Sequence, residues 1–217
     1  KGSIKLEQDV EMKINIEKRN NTRAYHSATH LLHESLRRVL GPHVTQKGSL
    51  VEPERLRFDF SHMKPISDDE MVKIESHVND MISKQSDVTT RIMTPKEAVD
   101  NGALALFGEK YGDEVRVLSM GDEGEKYFST ELCGGTHVKN TGDIGKFKII
   151  SQSSIAAGVR RIEALRDKQL EDYLKNKEKL SNLSAEKDEE IIKELSQQII
   201  KLGGKPNIDK SDQKTLI

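Results

Sequence analysis

The sequence predicts an α+β fold: a mainly antiparallel sheet packed with a few helices, followed by a helical, coiled-coil-like extension. Three observations carry this. Short strand-like runs succeed one another between residues 114 and 164 with few residues between them, which favours antiparallel pairing. Helical periodicity is confined to a few segments ahead of those strands. From Arg166 to Leu202 there is no Pro or Gly, and Lys, Glu and Asp dominate.

Each element follows from its own residues. "VEMKINIE" alternates, with Val10, Met12, Ile14 and Ile16 on one side and charged or polar residues on the other, the pattern of a half-buried strand. "RNNT" offers caps for a helix over Arg23–Leu40, and Gly41-Pro42 stops it. "HVTQKGSLV" and "RLRFDFSH" read as two strands joined at Glu52-Pro53-Glu54, with Leu56, Phe58 and Phe60 on one face. "SDDE", Ser67 to Glu70, is a capping box that opens a helix carrying Met71, Ile74, Val78 and Ile82 at helical spacing. "DVTTRIM" is a short strand, and "PKEAVDNG" a short helix with Pro95 at its start and Gly102 at its end. "EVRVLSM", "KYFSTEL", "KFKIIS" and "GVRRIEA" are strands expected to join in one antiparallel sheet. In the extension, Ile192, Leu195, Ile199 and Leu202 form a narrow apolar seam that calls for a partner surface. "SAEKDEE", Ser184 to Glu190, lacks apolar residues and is expected to bend the helix or join two.

Composition excludes some functions. Of the 217 residues 33% are charged, there is no Trp, and the formal net charge is −1, so bulk charge does not announce a nucleic-acid partner. Locally, Lys139, Lys146, Lys148, Arg160 and Arg161 face a single acid, Asp143, between His137 and Arg161. That stretch could meet phosphate, and an ordinary solvated strand edge explains it equally well. One cysteine and no secretory apolar segment fit a reducing, cytoplasmic setting, and no apolar run suits a membrane. The opening Lys1-Gly2-Ser3 runs almost directly into a strand pattern and reads as a piece of something longer.

The chemistry concentrates in two short segments. In "YHSATHLLHESLRRVL" His26 and His30 are one helical turn apart, His33 falls on the same side and Thr29 at its edge, while Leu32, Leu36 and Val39 form a separate stripe for packing. "CGGTH" holds the only cysteine, Cys133, four positions before His137, so an internal disulfide is excluded. Three imidazoles and one thiolate suit Zn2+. Gly134 and Gly135 are expected to let the loop bend through φ > 0 so that both side chains reach one ion. A Cys/His nucleophile competes, but the neighbourhood offers no group to orient the base. His33 reads as a packing residue; His43, His62 and His77 read as surface or cap residues.

Those motifs also carry a resemblance. "HSATHLLHESLRRVLGPHVTQKGSLVEPERLRFDFSH", "ALFGEKYGDEVRVLSMG" and "STELCGGTHVKNTGDIGKFKIISQSSIAAGVRRIEAL" resemble the editing domain of alanyl-tRNA synthetase, from about Arg23 to Leu165. The resemblance implies that residues 1–20 end a small β-barrel, 21–166 form the deacylase domain, 167–203 begin a helical region and 204–217 are a tail. It implies hydrolysis of serine or glycine from mischarged tRNA(Ala). His26, His30, Cys133 and His137 match the family's zinc positions, and Gln46 and Thr29 match pocket positions tied to substrate choice. Arg160, Arg161 and Lys146 become candidates for holding tRNA, and the C-terminal helices a possible route to oligomers in a longer protein. Alternatives remain: a non-catalytic, zinc-stapled tRNA-binding module, a free-standing deacylase, or the threonyl-type editing domain.

The need for such editing is physical. A small pocket that accepts alanine rejects serine by only about 100-fold, because the two differ by one hydroxyl. A second site that hydrogen-bonds this hydroxyl spares alanine, which would leave a buried polar group unpaired.

Overall fold

The computed structural model describes residues 3, 5–104 and 112–206. The chain falls into two units, Lys1–Glu171 and Asp172–Ile217. The described residues of the first unit hold three helices and seven strands.

Helix α1, Ile16–Leu40, starts where the Asn15 side chain accepts from Lys18 N and ends at Gly41, whose φ of 119° suits a residue without Cβ. The expected strand over Val10–Glu17 is corrected: Val10–Asn15 carries no strand, and the helix begins at Ile16 rather than Arg23. A strand needs a hydrogen-bonded neighbour, and among the described residues none pairs with this stretch. Val10, Met12 and Ile14 are therefore exposed, at 57%, 89% and 57%, and the expectation of a barrel strand there has no strand to rest on. An Asn cap satisfies the helix's first donors, so local capping wins over alternation.

Strands β1 (Gln46–Val51), β2 (Leu56–Ser61), β6 (Phe147–Ala156) and β7 (Val159–Arg166) form a sheet in the order β1-β2-β7-β6. Strands β3 (Thr89–Met93), β4 (Val115–Asp122) and β5 (Tyr127–Leu132) form a second sheet in that order. Every pairing within the two sheets is antiparallel. The fold class is thus α+β as expected, but the last four strands divide between two sheets. The segment from Cys133 to Lys146 is no hairpin turn. It carries the 3-10 turn Thr141–Ile144 and is tied to the segment between α2 and β3 by bonds from Val88 N to Lys139 O and from Thr141 N to Ser86 O. It delivers the β6–β7 hairpin to β2, where Leu56 meets Ala164 and Phe58 meets Ile162.

Helix α2, Asp68–Ser83, opens with the Ser67/Glu70 capping box, and α3, Pro95–Asp100, with a second box formed by Thr94 and Glu97. The main core gathers Tyr25, Leu31, Leu32 and Leu36 of α1 with Phe58, Phe60, Ile74, Met120 and Phe147. Full burial of each such side chain is worth roughly 1.5–3 kcal/mol, which fixes α1 against both α2 and the sheets. The Tyr25 hydroxyl donates to Glu54 O and accepts from Arg166 N, linking α1 to the β1–β2 turn and to the end of β7.

Helix α4, Asp167–Lys201, runs without interruption through Ser184–Glu190, where a bend or break was expected. Ala, Glu and Lys are good helix formers, so an absence of apolar residues there does not stop it. Leu170 is its one buried residue. The expected tail, 204–217, lies outside the described residues from 207 onward. Among the described residues no helix is long and apolar enough to cross a membrane.

Candidate metal centre

His26, His30, Cys133 and His137 come together: one ligand atom from each lies within 4.8 Å of all the others. The local folding that achieves this is simple. In α1 positions i and i+4 share a face, so His26 and His30 stack one turn apart with ring centroids 5.1 Å from each other. The chain leaves β5 at Cys133, whose N–H donates to Arg116 O, and Arg116 Nη1 donates to the carbonyls of Cys133 and Gly135. The arginine thereby fixes the loop that brings His137 back. His137 Nε2 lies 3.3 Å and His26 Nε2 3.7 Å from Cys133 Sγ. A tetrahedral ion with N and S arms of about 2.0–2.3 Å has edges of about 3.3–3.8 Å, so these are metal-site separations.

The role of the glycines differs from expectation. Neither Gly134 nor Gly135 has positive φ. A Cβ on Gly135 would stand 2.2 Å from His26 Cε1, whereas one on Gly134 would meet nothing within 4 Å. Gly135 leaves room for the His26 ring to approach the backbone.

Tautomers are set by neighbours that the sequence reading passed over. Ser27 Oγ donates its proton to Arg23 O and accepts from Val138 N. Its contact with His137 Nδ1, 3.2 Å, is therefore made by the ring N–H, which leaves the Nε2 lone pair facing Cys133. His30 Nδ1 lies 2.8 Å from Glu131 Oε2, and its Nε2 is buried with no hydrogen-bond partner among the described residues. A buried nitrogen of this kind needs a partner, and a cation among the four donors supplies one. Glu131, 8% exposed, also takes His33 Nδ1 at 3.1 Å. Period-two alternation could have flagged it, since Ser129, Glu131 and Cys133 share a strand face.

Charge follows geometry. Burial works against the Glu131 carboxylate, yet the His30 and His33 rings hold it well below the usual carboxylate range. Burial lowers His30, but Glu131 overrides this and lifts its pKa to about 10. Burial alone would raise the Cys133 thiol; the neighbouring His137, His26 and His30 rings bring it to about 3. Burial pushes His137 down to about 4, against the pull of the nearby Cys133 sulfur. A thiolate ringed by imidazoles is a ligand set that could hold a metal ion, with the second bonds that orient such ligands already in place.

The other candidate residues stand as follows. Thr29 is buried on α1 and its hydroxyl donates to Tyr25 O at 2.8 Å. Gln46 is half-buried at the start of β1, paired with Phe60. Arg161 is committed to Asp59 through two bonds of 2.7 and 2.9 Å, Arg160 donates to Gln152, and Lys146 is exposed. His43 and His62 are in contact at 2.9 Å.

Residues 115–163, from β4 into β7, match the family model described as "Threonyl and Alanyl tRNA synthetase second additional domain". Alanine–tRNA ligases from Parvibaculum lavamentivorans, Chelativorans sp. and Mesorhizobium japonicum are 56%, 54% and 57% identical to the chain over 188, 184 and 169 residues. The chain belongs to the alanyl-tRNA synthetase editing-domain family. The matches cover 85%, 82% and 76% of this chain but only 21%, 21% and 19% of the relatives, so the chain spans about a fifth of the length of the ligases it resembles. Within this family segment the model match takes in Cys133 and His137, while His26 and His30 come from α1, outside residues 115–163.

Proposed function

We propose that this fragment hydrolyses the ester between a wrong amino acid, serine or glycine, and the 3′ end of tRNA(Ala), with Zn2+ held by His26, His30, Cys133 and His137. One observation carries the reading: the four donor atoms converge, and His30 Nε2 is buried without another partner. Thiolate and imidazole donors in a tetrahedral arrangement favour zinc over harder ions. Bound zinc would supply Lewis acidity toward the ester or a water of lowered pKa.

The protein's own groups do the rest. Glu131 and Ser27 hold the His30 and His137 rings by their Nδ1–H groups, leaving Nε2 of each for the ion. The Thr29 hydroxyl, its proton given to Tyr25 O, keeps lone pairs that can accept from the hydroxyl of a seryl group. Gln46 offers both a donor and an acceptor for the same discrimination. Of the cations assigned to tRNA, Lys146 is the most available for phosphate; Arg160 and Arg161 are already engaged by Gln152 and Asp59. The apolar seam of α4 is a candidate surface for oligomers in a longer protein.

A second reading has its own support. Four protein donors close a tetrahedron, and a closed site is normally structural. On that reading the domain binds tRNA and the metal only staples α1 to the Cys133–His137 loop. A deacylation assay with Ser-tRNA(Ala) decides: zinc-dependent release of serine by the parent chain, lost in Cys133→Ala, supports the hydrolase, and binding of tRNA without release supports the staple.

A further inference from the structure

Glu131 and His33 have no part in the ligand set, yet both are buried beside it. His33 is 2% exposed, its ring lies 5.2 Å from that of Phe58, and its Nε2 has no hydrogen-bond partner among the described residues. Its Nδ1 reaches Glu131 Oε1 at 3.1 Å, while Oε2 of the same carboxylate takes His30 Nδ1 at 2.8 Å. The second partner of Oε1, Ser129 Oγ, is at 3.5 Å, the limit of a hydrogen bond. One carboxylate therefore has two hands, one on a ligand ring and one on an imidazole seated in the core.

We propose that Glu131 is the positioning residue and buried counter-charge of the metal centre, and that His33 acts only through it, by anchoring the carboxylate. The proposal rests on the metal reading above. Within the ligand set and its carboxylate the charges balance: a dication carries +2, the Cys133 thiolate −1 and the Glu131 carboxylate −1, with three uncharged imidazoles, while Arg116 stands outside the set on the loop carbonyls. A buried charge left without compensation is costly, and a monovalent ion would leave the site negative. The geometry makes the same demand. With Glu131 holding Nδ1–H, the Nε2 lone pair of His30 cannot be protonated and metallated together, and the ring cannot rotate away from the ion. His33 keeps the carboxylate from turning toward solvent.

Zinc affinity of the whole chain, measured by competition with a chromophoric chelator, tests this for the parent, Glu131→Gln, His33→Phe and the double variant. Gln keeps the shape but accepts from one imidazole only and carries no charge; Phe keeps a ring against Phe58. Glu131→Gln is expected to weaken zinc by about 10–100-fold, the usual cost of losing a ligand's outer partner, and His33→Phe by up to about 10-fold. In the Glu131→Gln background His33→Phe is expected to cost nothing further. The Co2+-loaded Glu131→Gln chain should keep the thiolate-to-metal absorption of the parent, because no ligand has been removed. Additive losses, or unchanged affinity in His33→Phe, would overturn the role of His33. Parent-like affinity in Glu131→Gln would overturn the proposal while leaving the metal site intact. A parent chain that binds no zinc removes the metal reading itself, and the proposal with it.

Discussion

Gly135→Ala separates the proposed metal site from the fold. The new Cβ would lie 2.2 Å from His26 Cε1 and 2.7 Å from its Nδ1. Ordinary contact begins at 3.4 Å, so the ring must retreat by about 1.2 Å, the difference between 3.4 and 2.2. His26 is only half-buried and sits at the edge of the core, so in the metal-free chain it can swing aside at little cost. Neither glycine needs left-handed backbone, which removes backbone strain as a second cause. Zinc is the quantity that suffers, because a ligand moved by more than an ångström no longer completes a tetrahedron with arms of about 2.0 Å. The expected loss is at least 10–100-fold in affinity, with metal-free urea unfolding shifted by less than about 1 kcal/mol. Gly134→Ala is the control: its Cβ meets nothing within 4 Å, and both quantities should stay near the parent values. Chelator competition and urea melts on both variants give the answer. Equal zinc affinity in the two would refute the close-approach account of Gly135.

Other consequences follow from the same contacts. Above about pH 4 His137 is neutral, above about 3 Cys133 is a thiolate, and His30 keeps its proton up to about 10. Zinc entry between pH 7.5 and 9.5 should therefore displace one proton, from His30, so the logarithm of affinity rises by about one per pH unit over that range; a slope of two would mean that Cys133 is a thiol in the metal-free chain. Alkylation of Cys133 should be slow with zinc bound and fast after chelation, whereas fast alkylation of the zinc-loaded chain, with a seryl thioester trapped by rapid quench, would establish it as a nucleophile. Arg166→Ala strips donors from the carbonyls of Ile144 and Asp143 beneath a residue 5% exposed, and should lower unfolding free energy by roughly 2–4 kcal/mol in urea melts. Lys146→Ala should flatten the log–log salt slope of tRNA binding by about 0.7–0.9, and an unchanged slope would mean that it touches no phosphate.

The legible parts of the fold are those whose signal is local. Ser67/Glu70, Pro95 and the Leu56-Phe58-Phe60 alternation each settle an element within a few residues, and each element is there. What failed needed distant information. Val10–Ile16 alternates as a strand would, but pairing is a property of a neighbour, and the Asn15 cap decided the outcome. The split into two sheets depends on where the Cys133–Lys146 segment travels, which no periodicity encodes. At the site, the four donors were legible because two i, i+4 spacings name them. Ser27, Arg116 and Glu131 were not, since each matters only through a partner about a hundred positions away or more, or, for Arg116, through loop carbonyls that sequence does not mark. The glycine pair suggests φ > 0, but what Gly135 provides is space beside His26.

The same contacts weigh the nucleophile against the metal. A Cys/His pair needs a group to orient the base, and the sequence names none; the structure supplies two, Ser27 at 3.2 Å from His137 Nδ1 and Glu131 at 2.8 Å from His30 Nδ1. That repairs the nucleophile reading but does not favour it. A nucleophile requires one base and an open side toward its substrate. Here the sulfur faces Nε2 of both His26 and His137, and His30 Nε2 is buried in the same cluster with its Nδ1 pinned by Glu131. A thiolate with three ring nitrogens around it calls for positive charge in the same volume. In the metal-free chain the proton on His30 is that charge. A dication does it better, because it bonds all four donors at once and because Glu131 already carries the second negative charge that makes the sum zero. The buried carboxylate serves either reading, because it orients a base as well as a ligand; four donors converging on one volume is what a single Cys/His nucleophile leaves unexplained.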